Sequence, residues 1–169
     1  AASDVYKRQS QGGTYVLSGV PMEVWMYAGD VYAGTLPVGV PPYAGWTLVG
    51  SANVTTTGGT SLGLIPTPGV SIPAGGTYSF RVQNMGGTVS YTNGTGTPGV
   101  SAWASDANVT ITEGHGGSVT NWFQFVPRNF NGAVHYGNPG ASAYTVSWSN
   151  GATTEDVSGL ALSLIHISE

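Results

Sequence analysis

The sequence predicts an all-β protein, an antiparallel β-sandwich or jelly roll, and three observations lead to this fold class. Of 169 residues, 27 are Gly and 10 are Pro, which are too many helix-breaking residues for a helical domain. Short segments alternate apolar and polar side chains with a period of two, as half-buried strands do. A 40% hydrophobic composition with 5 Trp, 9 Tyr and 4 Phe provides enough apolar surface for a core, which excludes a disordered chain.

Five segments carry the strand pattern. Residues 22–27 carry apolar side chains at both parities, which predicts either a strand covered on both faces or one that displays aromatic side chains. In residues 46–54, Trp46, Leu48, Ala52 and Val54 share one parity, and Gly50 between them predicts a bulge or a close approach of the backbone. Residues 77–83, 107–112 and 144–149 alternate strictly, which predicts strands with one face exposed to solvent.

Turn signals separate these segments. Asn-Gly pairs, the preferred residues of two-residue hairpin loops, occur at Asn93-Gly94, Asn131-Gly132 and Asn150-Gly151. The second pair predicts a hairpin between residues 123–130 and 133–136. A turn signal about every ten residues, between about seven to nine short strands, favours a sandwich or jelly roll over a meander.

The two ends of the chain differ in composition from its middle. Residues 1–9 contain Lys7, the only lysine, and residues 162–169 form an aliphatic run without glycine. Both segments resemble translated adapter of a sequencing library, because the second can be encoded by a sequence that includes the reverse complement of part of the first. The resemblance implies that both segments are adapter-derived and that residues 10–161 are a fragment of the native protein.

A succession of short segments between residues 20 and 137 carries a second resemblance. It runs from Glu23-Val-Trp-Met-Tyr to the closing segment that contains Pro127, Arg128, Asn131, Gly132 and Tyr136. The succession resembles an uncharacterised β-sandwich module of secreted bacterial multidomain proteins. The resemblance implies that residues 10–137 form such a module and that the protein is exported, and it implies no chemistry.

Residues 144–161 read Tyr-Thr-Val-Ser-Trp-Ser-Asn-Gly-Ala-Thr-Thr-Glu-Asp-Val-Ser-Gly-Leu-Ala. They are similar to the core of the repeats that form large surface adhesins of gliding bacteria. In that family a Gly-rich strand bearing Cys precedes this segment, whereas the chain contains no Cys. The resemblance implies that residues 138–161 are the truncated start of a second, immunoglobulin-like repeat.

The sequence offers no catalytic or metal-ligating constellation, so we expect no enzyme activity and no cofactor. His115 and His135 lack the spacing that places two ligands on one face, and the glycine-rich segment around His115 does not itself contain a Gly-x-Ser-x-Gly elbow. A structural calcium ion stays open, although no Asp-x-Asp spacing supports it. Because only four residues are Lys or Arg, nucleic acid is excluded as a partner.

Aromatic residues are the candidates for ligand binding. Trp25, Tyr27, Tyr32 and Tyr43 are interleaved with Gly and Pro, and we expect exposed rings of this kind to stack on sugars. Core packing is the competing interpretation, and it is favoured for Trp46. Trp103 and Trp122 stay open between core and rim.

Two charged residues, Asp106 and Arg128, are isolated in neutral surroundings, and we expect them to form a structural ion pair.

The expected function is that of a non-catalytic extracellular module in a large bacterial surface or secreted protein, with an adhesion or stalk role. Its expected partners are neighbouring domains of the same chain and glycans or a surface. The alternative is a carbohydrate-binding sandwich attached to a secreted degradative enzyme. Residues 10–161 contain no apolar run of about 18 residues, so no membrane span is expected.

Overall fold

The computed structural model describes residues 5–8, 18–56, 62–86 and 91–137. These ranges contain no α-helix; they contain one 3₁₀ turn, Val31–Ala33, and antiparallel strands. The strands are β1 Val5–Arg8, β2 Val20–Tyr27, β3 Trp46–Val54, β4 Leu62–Ile65, β5 Ser79–Asn84, β6 Thr92–Asn93, β7 Ala102–Ser105, β8 Thr110–Thr112, β9 Gly114–Gly116, β10 Phe125–Asn129 and β11 Gly132–Val134. The predicted all-β, antiparallel fold class is therefore confirmed.

The chain divides into two compact units, residues 1–137 and residues 138–169. The expected second repeat at 138–161 and the expected adapter segment at 162–169 lie outside the described residues. Within the described ranges, no helix is long and apolar enough to cross a membrane.

The sheet with the longest strand pairings in the first unit has the order β3-β2-β5. Its middle strand, β2, is covered on both faces, which is the first of the two interpretations that the apolar residues at both parities allow. Met22 and Val24 are 1% and 0% exposed on one face. On the other face, Trp25 contacts the ring of Trp122 and Tyr27 contacts the ring of Trp46.

The aliphatic core lies on the Met22 side of this sheet. Its fully covered members are Met22, Val24, Val54 and Ile65, and Phe130 is among the half-buried side chains packed against them. Ile65 belongs to the sheet of order β11-β1-β4, so the core joins that sheet to β3-β2-β5. Full burial of each aliphatic side chain contributes about 1.5–3 kcal/mol.

The middle strand of the β11-β1-β4 sheet is β1, which lies within the segment expected to be adapter-derived. Its residues pair antiparallel with β4 on one side and with β11 on the other. A strand ladder is made by backbone N–H and C=O groups, which residues of almost any identity supply. The pairing therefore requires an extended segment at this position, and the adapter origin of residues 1–9 stays a prediction.

The strand β3 contains the irregularity that Gly50 predicts. Val24 pairs with Gly50 and Trp25 with Leu48, so Val49 is an extra residue. A Cβ at Gly50 would collide with the carbonyl oxygen of Pro66, so only glycine fits at this position. The prediction of one parity along β3 is wrong, because the bulge turns Trp46 and Leu48 to the face opposite Val54.

The predicted hairpin at Asn131-Gly132 is also wrong. The strand β10 pairs with β6 and β9, whereas β11 pairs with β1 in another sheet. The chain passes between sheets at Phe130, whose side chain packs against the aliphatic core. Gly132 is then the first residue of β11, and the Asn131 Oδ1 accepts a hydrogen bond from the Thr92 hydroxyl over 3.0 Å.

Candidate functional site

The second face of the β3-β2-β5 sheet is covered by a set of rings that we call the aromatic layer. Rings of this set contact one another in an unbroken series, and they come from β2, β3, β9 and the two segments that connect β2 to β3 and β9 to β10. The members are Trp25, Tyr27, Tyr32, Tyr43, Trp46, His115, Trp122 and Phe123.

Trp122 is the centre of the aromatic layer, and it is 2% exposed. Its ring centroid lies 5.7 Å from that of Trp25, 5.4 Å from Tyr43 and 5.2 Å from Trp46. The rings of Tyr43 and Trp46 meet it at 82° and 84°, which is the edge-to-face arrangement that ring quadrupoles favour. Trp122 therefore joins the loop that carries it to the central sheet.

Arg81 of β5 fixes the loop that carries Trp122. Its guanidinium lies 5.4 Å from the Trp122 ring centroid and donates hydrogen bonds to the carbonyls of Trp122, Gly117 and Ser118 over 3.0, 3.2 and 3.2 Å. Burial lowers the pKa of Arg81 to about 10, which leaves it charged at neutral pH. The predicted solvent-exposed polar face of β5 is wrong, because Arg81 is covered by the loop and Gln83 is 6% exposed.

Tyr32, His115 and Phe123 form the far end of the aromatic layer. The Tyr32 and His115 rings stack with centroids 5.5 Å apart, and the Tyr32 hydroxyl lies 3.1 Å from His115 Nδ1. The ring of Phe123 meets His115 edge-on at 5.6 Å. Burial raises the pKa of Tyr32 to about 12 and lowers the pKa of His115, so both groups are neutral at pH 7.

The structure brings together the four residues that the sequence nominates for sugar stacking, but in an internal cluster. Tyr43 is 7% exposed, while Trp25, Tyr27 and Tyr32 are half-buried. Their rings pack on other members of the aromatic layer rather than forming an exposed patch. The sequence left the centre, Trp122, open between core and rim, because its neighbours along the chain show no alternation.

Glu113 is a buried carboxylate that the sequence did not single out. It is 6% exposed, and it accepts hydrogen bonds from the backbone N–H groups of Thr95 and Gly96 over 3.2 and 2.8 Å. A Cβ at Gly94 would collide with the Glu113 carboxylate, so this glycine makes room for it. Glu113 thus anchors the loop that follows β6.

Asp106 and Arg128 have other partners than the expected ion pair. Asp106 accepts hydrogen bonds from the Tyr136 hydroxyl over 2.6 Å and from the backbone N–H groups of Asn108 and Val109, each over 2.8 Å. The hydrogen bond from Tyr136 lowers the pKa of Asp106, and the same bond raises the pKa of Tyr136. Because Asp106 closes a turn with these amides, β8 begins only at Thr110.

Arg128 lies on β10 between two exposed rings. Its guanidinium carbon is 4.5 Å from the ring centroid of Tyr91 and 5.6 Å from that of Phe125. Tyr91 is 51% and Phe125 is 45% exposed. We call Tyr91, Phe125 and Arg128 the arginine platform.

Among the described residues, no group of three or more His, Asp or Glu side chains could hold a metal ion. Comparisons of the chain with protein-family models, with curated proteins and with solved structures found no match.

Proposed function

We propose that this chain is a non-catalytic module of a large secreted or surface-exposed bacterial protein, with an adhesion or stalk role. The observation that supports the proposal most is the aromatic layer, whose rings pack against one another around Trp122. Covering the second face of an antiparallel sheet with rings gives a plate supported on both sides. A stalk or an adhesive array needs this kind of rigid unit.

The charged side chains support the same proposal. Arg81 holds the loop of Trp122, Glu113 holds the loop after β6, and Asp106 closes the turn before β8. Each of these groups makes hydrogen bonds to the backbone of a connecting segment. Charge is therefore used to fix loops, which is a structural role, rather than being assembled around a reacting atom.

The alternative, a carbohydrate-binding sandwich attached to a degradative enzyme, loses the site first expected for it. Tyr43 is 7% exposed, so its ring offers no face to a sugar. Trp25 packs on Trp122 and donates its indole N–H to Glu23 over 2.9 Å. A sugar at this site would have to displace these contacts.

The uninterrupted gene tests the proposal. We expect it to encode an export signal, further copies of the pattern at residues 144–161, and different residues in place of 1–9 and 162–169. A hydrolase domain in the same reading frame would favour the alternative. A gene without an export signal, flanked by domains of an intracellular enzyme, would refute the proposal.

A further inference from the structure

We propose that the arginine platform binds a uronic acid residue of an otherwise neutral glycan, with Arg128 holding the carboxylate and the rings of Tyr91 and Phe125 packing on the sugar. This inference goes beyond the proposed function and does not depend on it.

The first argument is charge. In the described part of the chain, the carboxylates of Glu23, Asp30, Asp106 and Glu113 all accept hydrogen bonds from neighbouring groups. Arg81 is engaged with three carbonyls. Arg128 donates one terminal N–H to the carbonyl of Pro127 over 2.9 Å and has no carboxylate against it among these residues. Its positive charge is thus left for an external anion.

The second argument is preorganisation. Arg128 is held between the rings of Tyr91 and Phe125, which restricts the rotamers of a long side chain before any ligand arrives. A planar guanidinium fixed in this way donates two parallel N–H bonds to a carboxylate with less loss of entropy than a free one. The exposed remainder of each ring is apolar surface beside that charge, which suits the C–H face of a sugar.

The third argument is the backbone that builds the platform. Phe125 pairs with Gly116 and Arg128 with Gly114, so two residues of β10 lie between these pairs opposite one residue of β9. This bulge puts Phe125 and Arg128 on one face, whereas regular alternation would put them on opposite faces. Gly116 gives the Arg128 stem its space, since a Cβ there would lie 3.2 Å from Arg128 Cγ. The Gly-rich segment around His115 thus serves the platform.

The charge of the whole chain narrows the class of ligand. The formal net charge is −4, so a densely charged polyanion would be repelled. A single guanidinium also provides too few contacts for a nucleic acid backbone. One carboxylate on a sugar of a neutral chain satisfies both conditions, and its planar geometry matches the guanidinium.

The test compares two sugars that differ in one carboxylate. Xylotetraose and the same tetrasaccharide with β-1,4-linked glucuronic acid in place of its non-reducing xylose are titrated separately into the full chain at pH 7 and low salt, with binding measured by calorimetry and by backbone amide shifts. We expect the acidic sugar to bind at least about tenfold more tightly, in line with a charge-assisted hydrogen-bond pair. We expect the shifts to lie at residues 91–93, 114–116 and 125–129, and the affinity to fall as salt rises.

Variants locate the site. Arg128→Gln is expected to remove the tenfold preference, and Arg128→Lys to retain part of it, since the charge stays and the fork is lost. Phe125→Ala is expected to weaken the binding of the acidic sugar, whereas Phe80→Ala, at a 41% exposed phenylalanine on β5, leaves it unchanged. Circular dichroism of each variant confirms that it is folded.

Equal affinity of the wild-type chain for the two sugars would overturn the proposal. So would unchanged preference in folded Arg128→Gln, or amide shifts confined to residues outside the platform. If the wild-type chain binds neither sugar at millimolar concentration, the proposal is wrong, whatever the gene context shows about the module as a whole.

Discussion

Replacing Trp122 by Ala is expected to remove the centre of the aromatic layer. The side chain is 2% exposed and packs on three rings and one guanidinium. Because these rigid neighbours cannot move far, we expect them to fill little of the cavity that the truncation leaves. Truncation of a buried Trp costs about 3–5 kcal/mol, and each aromatic pair accounts for about 0.5–1.5 kcal/mol within that range. We expect a loss of about 4 kcal/mol, a large part of the stability of a domain of this size.

The assay is urea unfolding followed by far-ultraviolet circular dichroism, because the substitution changes the tryptophan fluorescence itself. With an m value of about 2 kcal/mol/M, the midpoint should fall by about 2 M. The matched control is Trp103→Ala, since Trp103 is 44% exposed and donates one hydrogen bond to the carbonyl of Phe130, and it should cost about 1 kcal/mol. Equal midpoints for the two variants would refute the role given to the aromatic layer.

Three further outcomes are expected. Glu113→Ala should lower the free energy of unfolding by about 2 kcal/mol, because two backbone N–H groups lose the charged acceptor that holds their loop; a loss below about 0.5 kcal/mol in urea unfolding would contradict this. Because burial lowers the pKa of His115, its stabilising contribution is present above the ordinary value of 6.5 and is lost as pH falls through the lowered pKa, so the thermal midpoint should fall less in His115→Gln than in wild type between pH 8 and 5. Tyr136→Phe should raise the pKa of Asp106 in a nuclear magnetic resonance titration, since it removes the hydrogen bond that chiefly lowers that pKa; an unchanged pKa would mean that the bond does not form in solution.

The sequence predicted what depends on local pattern. Residues 22–27 are apolar at both parities, and the structure covers both faces of that strand. Gly50 interrupts an apolar strand, and the structure brings the Pro66 carbonyl against it. Both predictions depend only on the residue types within one short segment, so they did not require knowing which distant segments pack against it.

The features that the sequence could not predict depend on pairing between distant segments. Asn131-Gly132 looks like a hairpin turn, but its flanking strands find other partners, so a local turn signal was overridden by the sheet arrangement. Phe125 and Arg128 are three positions apart, so regular alternation would put their side chains on opposite faces of the strand. The bulge opposite β9 puts them on one face. The sequence also contained no sign that the rings of Tyr91 and Phe125 would lie beside Arg128, for which an ion pair was expected.

The close contacts at glycine have a consequence for recognising relatives of this protein. A side chain at Gly50 would collide with the backbone of Pro66, one at Gly63 with Val54, and one at Gly117 with the backbone of Asn121 and Trp122. Many exposed positions accept substitutions without altering the fold, whereas a residue other than glycine at any of these three positions would force the neighbouring segment to move. Distant homologues are therefore expected to share their spacing when little else in the sequence can still be aligned.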